Sequence, residues 1–164
     1  MMLTTTFMGI ELRNPIVVGA SHLTGTIRKL KACEKAGASA VVVRTIFEEQ
    51  VRADSRLLAA GMKSPSSSDA VLEELSTNHT LDEYLTLIEE AVKGLEIPVI
   101  ASIHCRSPRG WEEYAKRIED LGVRAIELNL FELGSSPDRS GAQIEKSYFD
   151  IARRVRRSVK LPLA

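Results

Sequence analysis

The order of the sequence predicts an α/β fold with a parallel sheet. Short runs rich in β-branched residues alternate with longer segments of helical periodicity. The runs are PIVVGA (15–20), SAVVVRTI (39–46), IPVIASI (97–103) and VRAIELNL (123–130). Three of them are almost continuously apolar, as in parallel strands that are covered on both faces. Helices are expected at about 26–36, 80–94, 110–121 and 141–159, which completes a βαβα series.

Internal similarity favours a barrel over an open sheet. AGASAVVVR (36–44) aligns with LGVRAIELN (121–129), and EIPVIA (96–101) aligns with KLPLA (160–164). A complete (β/α)8 barrel takes eight such units and roughly 250 residues. We therefore expect residues 1–164 to be a single partial domain, the N-terminal half of a (β/α)8 TIM barrel with about four βα units. TTTFMGIEL, before the first strand, is expected to form a small hairpin that turns near Met8-Gly9.

The connection after the second strand is much longer than a usual βα loop. It covers 47–79, with a serine-rich centre, and 51–58 within it has the pattern of a short helix. Thr80 and Glu83 then have the spacing of a capping box. Because βα loops cover the active face of a barrel, we expect this loop to be a lid. An insertion without structure is the alternative.

Charge and cysteine content exclude several partners. Lysine plus arginine and aspartate plus glutamate both number 22, so no net field favours nucleic acid or an anionic membrane. The arginines at 153, 154, 156 and 157 are interleaved with apolar residues at helical spacing, which indicates the solvent face of an amphipathic helix. Cys33 and Cys105 match no metal or redox spacing, so two free thiols and a cytoplasmic location are expected.

No segment of the sequence predicts a membrane anchor or a secretion signal. No stretch approaches the roughly 18 apolar residues of a membrane helix. The N-terminus has neither a basic region nor an apolar core of the kind that a signal peptide carries. We expect no metal, no nucleic acid and no membrane among the partners.

Each predicted strand ends in hydrogen-bonding residues. The four ends carry Ala20-Ser21-His22, Arg44-Thr45, Ser102-Ile103-His104 and Asn129. Because active sites of barrels lie at the carboxyl ends of the strands, we expect these groups to form one polar floor. The set has no carboxylate pair and no nucleophile–base pair by spacing, which favours holding a planar polar cofactor over hydrolysis.

Structural roles compete with the functional ones at the same residues. A single histidine at a strand end, such as His22 or His104, can simply cap or pack. Glu127 is expected to face the same way as Asn129, where it could pair with Arg44 and give both side chains a structural purpose.

The motifs in this order resemble the dihydroorotate dehydrogenase family of FMN-containing TIM barrels, in particular its dihydroorotate dehydrogenase-like bacterial branch. TTTFMGIELRNPIVVGAS resembles the family's entry hairpin and first strand. GASAVVVRTIFEEQ resembles the second strand, and GWEEYAKRIEDLGVRAIELNL resembles the helix and fourth strand that lead to a flavin-contacting asparagine. The resemblance spans the whole chain but only the N-terminal half of the family.

The resemblance implies FMN as the cofactor and five residues that bind it. Ala20 and Ser21 would lie against the isoalloxazine edge, Arg44 and Thr45 at the family's Lys-Ser position, and Asn129 at the flavin and substrate amide. It implies transfer of a hydride from a reduced pyrimidine-like substrate to the flavin, hence an oxidoreductase of pyrimidine metabolism.

The sequence departs from the family at two functional positions. Arg44 replaces a lysine, keeping the charge with a bulkier, forked group. The family's base, a cysteine or serine, lies in the loop that here reads LFELGSSPD (130–138), with no cysteine and with extra residues, and Ser136 is the nearest substitute as the catalytic residue.

The family's phosphate site and strand-five lysine belong to the second half of the barrel, so the chain is expected to be a fragment that is inactive alone.

Two other functions remain open at this point. A non-catalytic half-barrel that forms homo-oligomers through its open sheet edges is the alternative. A barrel aldolase or decarboxylase is disfavoured, because no lysine lies near a strand end to form a Schiff base.

Overall fold

The computed structural model describes residues 3–51, 81–132 and 138–164. Most of the expected lid, the Thr80 cap and Ser136 lie outside these residues. The described part contains seven strands and four bounded helices. The strands are β1 (Thr5–Phe7), β2 (Ile10–Leu12), β3 (Val17–Val18), β4 (Ala40–Val42), β5 (Ile46–Phe47), β6 (Val99–His104) and β7 (Ala125–Leu128), and the helices are α1 (Ile27–Lys35), α2 (Leu81–Gly94), α3 (Pro108–Glu119) and α4 (Gly141–Ser158).

The N-terminal hairpin forms where the sequence predicts it. β1 and β2 pair antiparallel, with Phe7 opposite Ile10. The two residues between them, Met8 and Gly9, both have positive φ, 52° and 76°. Positive φ at both central positions is the requirement of a type I′ hairpin turn, which glycine meets without strain.

The remaining strands form one parallel sheet in chain order. β3 pairs with β4, β6 pairs with β4, β5 and β7, and every pairing is parallel. Leu163 continues the order as a parallel bridge to Ile126 on the far side of β7. Each pairing carries the carboxyl ends of the strands to the same edge of the sheet, as the βα pattern predicts.

The second predicted strand, 39–46, is broken by a bulge. Val42 lies opposite Ile100, whereas Ile46 lies opposite Ile103. Four residue steps on one strand therefore match three on its neighbour, so one extra residue is inserted between β4 and β5. Because side chains alternate along a strand, an insertion of one residue reverses which side chains face each side of the sheet beyond it.

Two apolar layers cover the two faces of the sheet. The outer layer joins Val41, Ile103 and Ile126 to the helices, including the fully buried Leu30 and Ile88. The inner layer packs the hairpin against the other face of the strands, with members Ile10, Leu12, Ala40, Val42, Ile100 and Ala125. This division explains why the strands are apolar at successive positions.

The helices begin and end close to the predicted positions. Thr26 caps α1 and Ser107 caps α3, each accepting a hydrogen bond from a backbone N–H in the first turn. Ser140 and Gln143 form a capping box at the start of α4. In α4 the four arginines are exposed while Val155 is fully buried, so the amphipathic prediction is confirmed.

Candidate functional site at the carboxyl ends of the strands

Four polar side chains from three neighbouring strand ends form a continuous set of hydrogen bonds. The Thr45 and Ser102 hydroxyls are 2.9 Å apart. Ser102 Oγ donates to Glu127 Oε1 over 2.7 Å, and Asn129 Nδ2 donates to Thr45 Oγ1 over 3.4 Å. We call this set (Asn129, Thr45, Ser102 and Glu127) the relay. The ends of the second, third and fourth predicted strands thus meet in one set of hydrogen bonds, and the end of the first predicted strand is not part of it.

The bulge explains why Thr45 enters the relay and Arg44 does not appear in it. Regular alternation from Val42 would turn Arg44 to the inner face. With one residue inserted, Thr45 takes the inner position next to Ser102, while Phe47 meets the ring of His104 at a centroid distance of 5.2 Å. Arg44 is half-buried, and its aliphatic part runs beside Gly25, where an added Cβ would be 3.4 Å from Arg44 Cδ.

Tyr84 of α2 holds the strand backbone at the centre of the relay. Its hydroxyl donates to the carbonyl of Ser102 over 2.8 Å and accepts from the amide of Ser102 over 3.0 Å. The side chain is 3% exposed. Burial raises the pKa of Tyr84 far above its usual value, the hydrogen bond to Ser102 lowers it in part, and the negative charge of Glu127 raises it further. The neutral hydroxyl is therefore retained throughout the physiological range.

His104 supports Asn129 from the adjacent strand. His104 Nδ1 lies 2.8 Å from the carbonyl oxygen of Asn129. A carbonyl only accepts, so Nδ1 is the donor in this contact. The ring packs against Phe47 and meets the edge of Trp111 at a centroid distance of 6.1 Å. His104 therefore has two roles. Its ring packs against Phe47 and Trp111, and its hydrogen bond to the Asn129 carbonyl fixes the backbone of Asn129.

The end of the first strand takes a local capping role. Ser21 accepts from the amide of Leu23 and pairs with Thr24 in a capping box around a 3₁₀ turn, His22–Thr24. Ser21 and His22 are exposed, and Ala20 is half-buried at the margin of the inner apolar layer. Flavin contacts of Ala20, Ser21, Arg44, Thr45 and Asn129 stay predictions, as does a catalytic role for Ser136, which lies outside the described residues.

Glu48 is a buried carboxylate that no pattern in the sequence marks as special. It is 3% exposed, and its Oε2 accepts from the amides of Arg106 and Ser107 at 2.8 Å each. Its Oε1 accepts from Ser107 Oγ at 2.6 Å. The carboxylate therefore fixes the β6–α3 loop beside the N-terminus of α3, where the helix dipole favours negative charge. In the sequence, FEEQ resembles an ordinary charged loop.

Two concave regions lie apart from the relay's polar edge. A cavity of 420 Å³ between the hairpin and the inner face of the sheet is mainly apolar, and Glu127 is its link to the relay. A groove of 560 Å³ lies between α3 and α4 and is lined by charged side chains, including Arg153, Arg154 and Arg157. The first is the interior of the half-barrel, and the second is on its outer surface.

The part of the chain that the structure describes contains neither a group of metal-binding side chains nor a membrane-spanning helix. Within 3–51, 81–132 and 138–164, no three histidine, cysteine, aspartate or glutamate side chains are grouped to hold a metal ion. Among the same residues no helix has the length and apolar character needed to cross a bilayer. Cys33 and Cys105 are not joined in a disulfide.

Sequence comparison relates the chain to one group of enzymes. Over 99% of its length it is 28% identical to the catalytic subunit of dihydroorotate dehydrogenase B (NAD(+)) from Methanocaldococcus jannaschii. Over 98% it is 26% identical to the same subunit from Thermoplasma volcanium. Over nearly its whole length the chain is therefore similar to dihydroorotate dehydrogenases. It spans about half the length of these relatives, 53% and 52% respectively. No family model matches the chain.

Structural comparison confirms the predicted fold class. A dihydrodipicolinate synthase from Bacillus anthracis superimposes with a TM-score of 0.54 at 16% identity, over 90% of this chain and 44% of that one. A second, from Acinetobacter baumannii, gives a TM-score of 0.50 at 20% identity, over 90% and 43%. Both neighbours are TIM-barrel enzymes, and the parallel βα units superimpose on less than half of each. The likeness establishes half of a barrel and carries no inference about their reaction.

Proposed function

We propose that this chain supplies the floor of an FMN-dependent oxidoreductase of the dihydroorotate dehydrogenase type. The observation that carries the proposal is the relay at the carboxyl ends of neighbouring parallel strands, where barrel enzymes bind their ligands. The homology to dihydroorotate dehydrogenases supports a dehydrogenase-type function independently of that geometry.

The residues at this edge fit the hydrogen-bonding rim of a flat ring system. Asn129 is half-buried, and no described residue donates a hydrogen bond to its Oδ1. At the end of β3, which pairs with β4 and not with β7, an added Cβ on Gly19 would meet nothing within 4 Å, so there is open space at that strand end. A margin of small residues and an amide oxygen open to a ligand suit a planar heterocycle. FMN, when bound, supplies an acceptor for a hydride from a reduced pyrimidine-like substrate.

The protein's part in that reaction is binding and orientation. Asn129 and Thr45 would hold the ring edge through hydrogen bonds, and Ala20 and Ser21 would bound it on the side of the first strand. Arg44 would supply a fixed positive charge near the site, and Ser136 stays the proposed proton acceptor. Because the phosphate sites of such barrels lie in loops after strands seven and eight, we expect this chain by itself to bind flavin weakly and to turn over no substrate.

Flavin titration tests the proposal directly. The purified chain is titrated with FMN, and the flavin absorbance spectrum and fluorescence are followed to saturation. A saturable change in the spectrum is expected, with affinity reduced about tenfold in Thr45→Val, which removes one hydrogen-bonding group. Thr86→Val is the matched control, since Thr86 is exposed on α2 and bonds only its own helix. No saturable change, or equal loss in both variants, would overturn the assignment.

A second candidate function, self-association without catalysis, is favoured by the sheet edges. Among the described residues β3 pairs with one neighbour only, and the adjacent Ile16 is 59% exposed. An unpaired strand edge beside exposed apolar side chains invites pairing with another copy. Sedimentation over a concentration series distinguishes the two candidates: a tight dimer with no flavin response supports self-association, and a flavin-binding monomer excludes it.

A further inference from the structure

Glu127 fixes the direction of every hydrogen bond in the relay. A carboxylate offers only acceptor atoms, so the contact at 2.7 Å uses the Ser102 hydroxyl hydrogen. With that hydrogen committed, Ser102 accepts in its 2.9 Å contact with Thr45, and Thr45 is the donor. Thr45 in turn accepts from the neighbouring amide, which presents Nδ2 at 3.4 Å.

We propose that Glu127, acting through Ser102 and Thr45, is a positioning residue that sets which end of the Asn129 amide faces the ligand. The NH2 group is directed to Thr45, so Oδ1 is left on the opposite side of the amide, where no described residue donates a hydrogen bond to it. The reverse orientation would make Thr45 donate to Oδ1. It would then turn the Ser102 hydroxyl hydrogen toward Thr45 and leave the Glu127 carboxylate facing an oxygen lone pair.

The surrounding contacts hold both ends of this arrangement in place. Tyr84 bonds the amide and carbonyl of Ser102, and His104 bonds the carbonyl of Asn129. Since these backbone positions are fixed, the choice between the two amide orientations depends on proton placement rather than on movement of the strands.

The inference defines the chemistry of the ligand at this position. A ligand group that contacts Asn129 Oδ1 must donate a hydrogen bond, as the N–H of a ring amide, imide or ureide does. A carbonyl or carboxylate oxygen of the ligand is disfavoured at the same place, because it can only accept. The identity of the ligand rests on the proposed flavin and pyrimidine function. The orientation of the amide itself does not.

Side-chain NMR of the ligand-free protein tests the orientation. Nuclear Overhauser contacts between the Asn129 NH2 protons and the Thr45 methyl group are expected in the unmodified chain. Glu127→Gln can donate or accept at Ser102, so it should broaden or duplicate the Asn129 NH2 signals, and Ser102→Ala should do the same. Glu90→Gln, an exposed position on α2, is the matched control and should change nothing. Unchanged Asn129 signals in Glu127→Gln would overturn the inference.

FMN titration of the same variants completes the test. If Glu127 acts through Ser102, Glu127→Gln weakens FMN binding up to about tenfold and adds no further loss in the Ser102→Ala background. Additive losses would show a direct effect of Glu127 and overturn the inference. Failure of the unmodified chain to bind FMN, with the NMR response intact, would instead refute the proposed function and leave the positioning role standing.

Discussion

Removing the Tyr84 hydroxyl is the perturbation that most directly probes the frame of the site. Tyr84→Phe keeps the ring and deletes one oxygen atom. That oxygen is the hydrogen-bond partner of both the amide and the carbonyl of Ser102, at 3.0 and 2.8 Å. Ser102 lies in the central strand β6 and is fully buried, so water has little access to replace the lost partner.

The magnitude follows from the two backbone groups left without a partner. A buried polar group that loses its hydrogen bond costs about 1–3 kcal/mol, which gives about 2–6 kcal/mol for the pair, a large part of the stability of a small domain. With a urea m-value of about 2 kcal/mol/M, a loss of about 3 kcal/mol lowers the midpoint by about 1.5 M.

Urea unfolding followed by circular dichroism measures this loss. Tyr148→Phe is the matched control, because Tyr148 is half-buried and its hydroxyl accepts a single hydrogen bond, from the Glu132 amide at 3.1 Å. We expect Tyr84→Phe to lower the midpoint at least twice as far as the control, with an unchanged m-value. An equal or smaller loss would show that the hydroxyl does not support the strand backbone.

Three further predictions concern the same frame. Because burial raises the pKa of Tyr84 in the folded state, the neutral hydroxyl stabilises the fold below the unfolded pKa of about 10, and this stability is lost as pH rises above it. Above that pH the unfolding free energy of the unmodified chain should fall by up to about 1.4 kcal/mol per pH unit more than that of Tyr84→Phe. Parallel curves of unfolding free energy against pH would contradict the raised pKa. Glu48→Gln should lower unfolding free energy by about 2–4 kcal/mol, since an amide presents NH2 where the carboxylate accepts; a change under about 0.5 kcal/mol by urea unfolding would refute that role. Gly110→Ala should cost about 1–3 kcal/mol, because an added Cβ would be 2.8 Å from the Glu48 carboxylate, whereas Gly141→Ala, which meets nothing within 4 Å, should be neutral in the same assay.

The parts of the fold that depend on local pattern were predictable from the sequence. Continuous apolar runs indicate parallel strands, the Met8-Gly9 pair indicates the hairpin turn, and four-residue spacing indicates the buried stripe of α4. The carboxyl ends of the strands then follow from the parallel arrangement, which is how Thr45 and Asn129 were predicted to lie near one another.

The parts that depend on contacts between distant segments were not predictable. SAVVVRTI reads as one uninterrupted strand, because the bulge is visible only in the offset register of β4 and β5 against β6. Regular alternation from Val42 would place Arg44 on the inner face, whereas the inserted residue gives that position to Thr45. Tyr84 lies on a helix beyond the long loop, and its bond to Ser102 spans 18 residues in the sequence, which no local period encodes.

The measurement that tests the central claim most directly is to map FMN binding on the backbone amide resonances of the chain. If the carboxyl ends of the strands form the flavin floor, added FMN should shift the amide signals of Thr45, His104 and Asn129 together, along one saturation curve. Signals from the charged groove between α3 and α4, such as those of Arg153 and Arg157, should stay in place. Shifts confined to that groove, or no shift at the three strand ends, would contradict the claim.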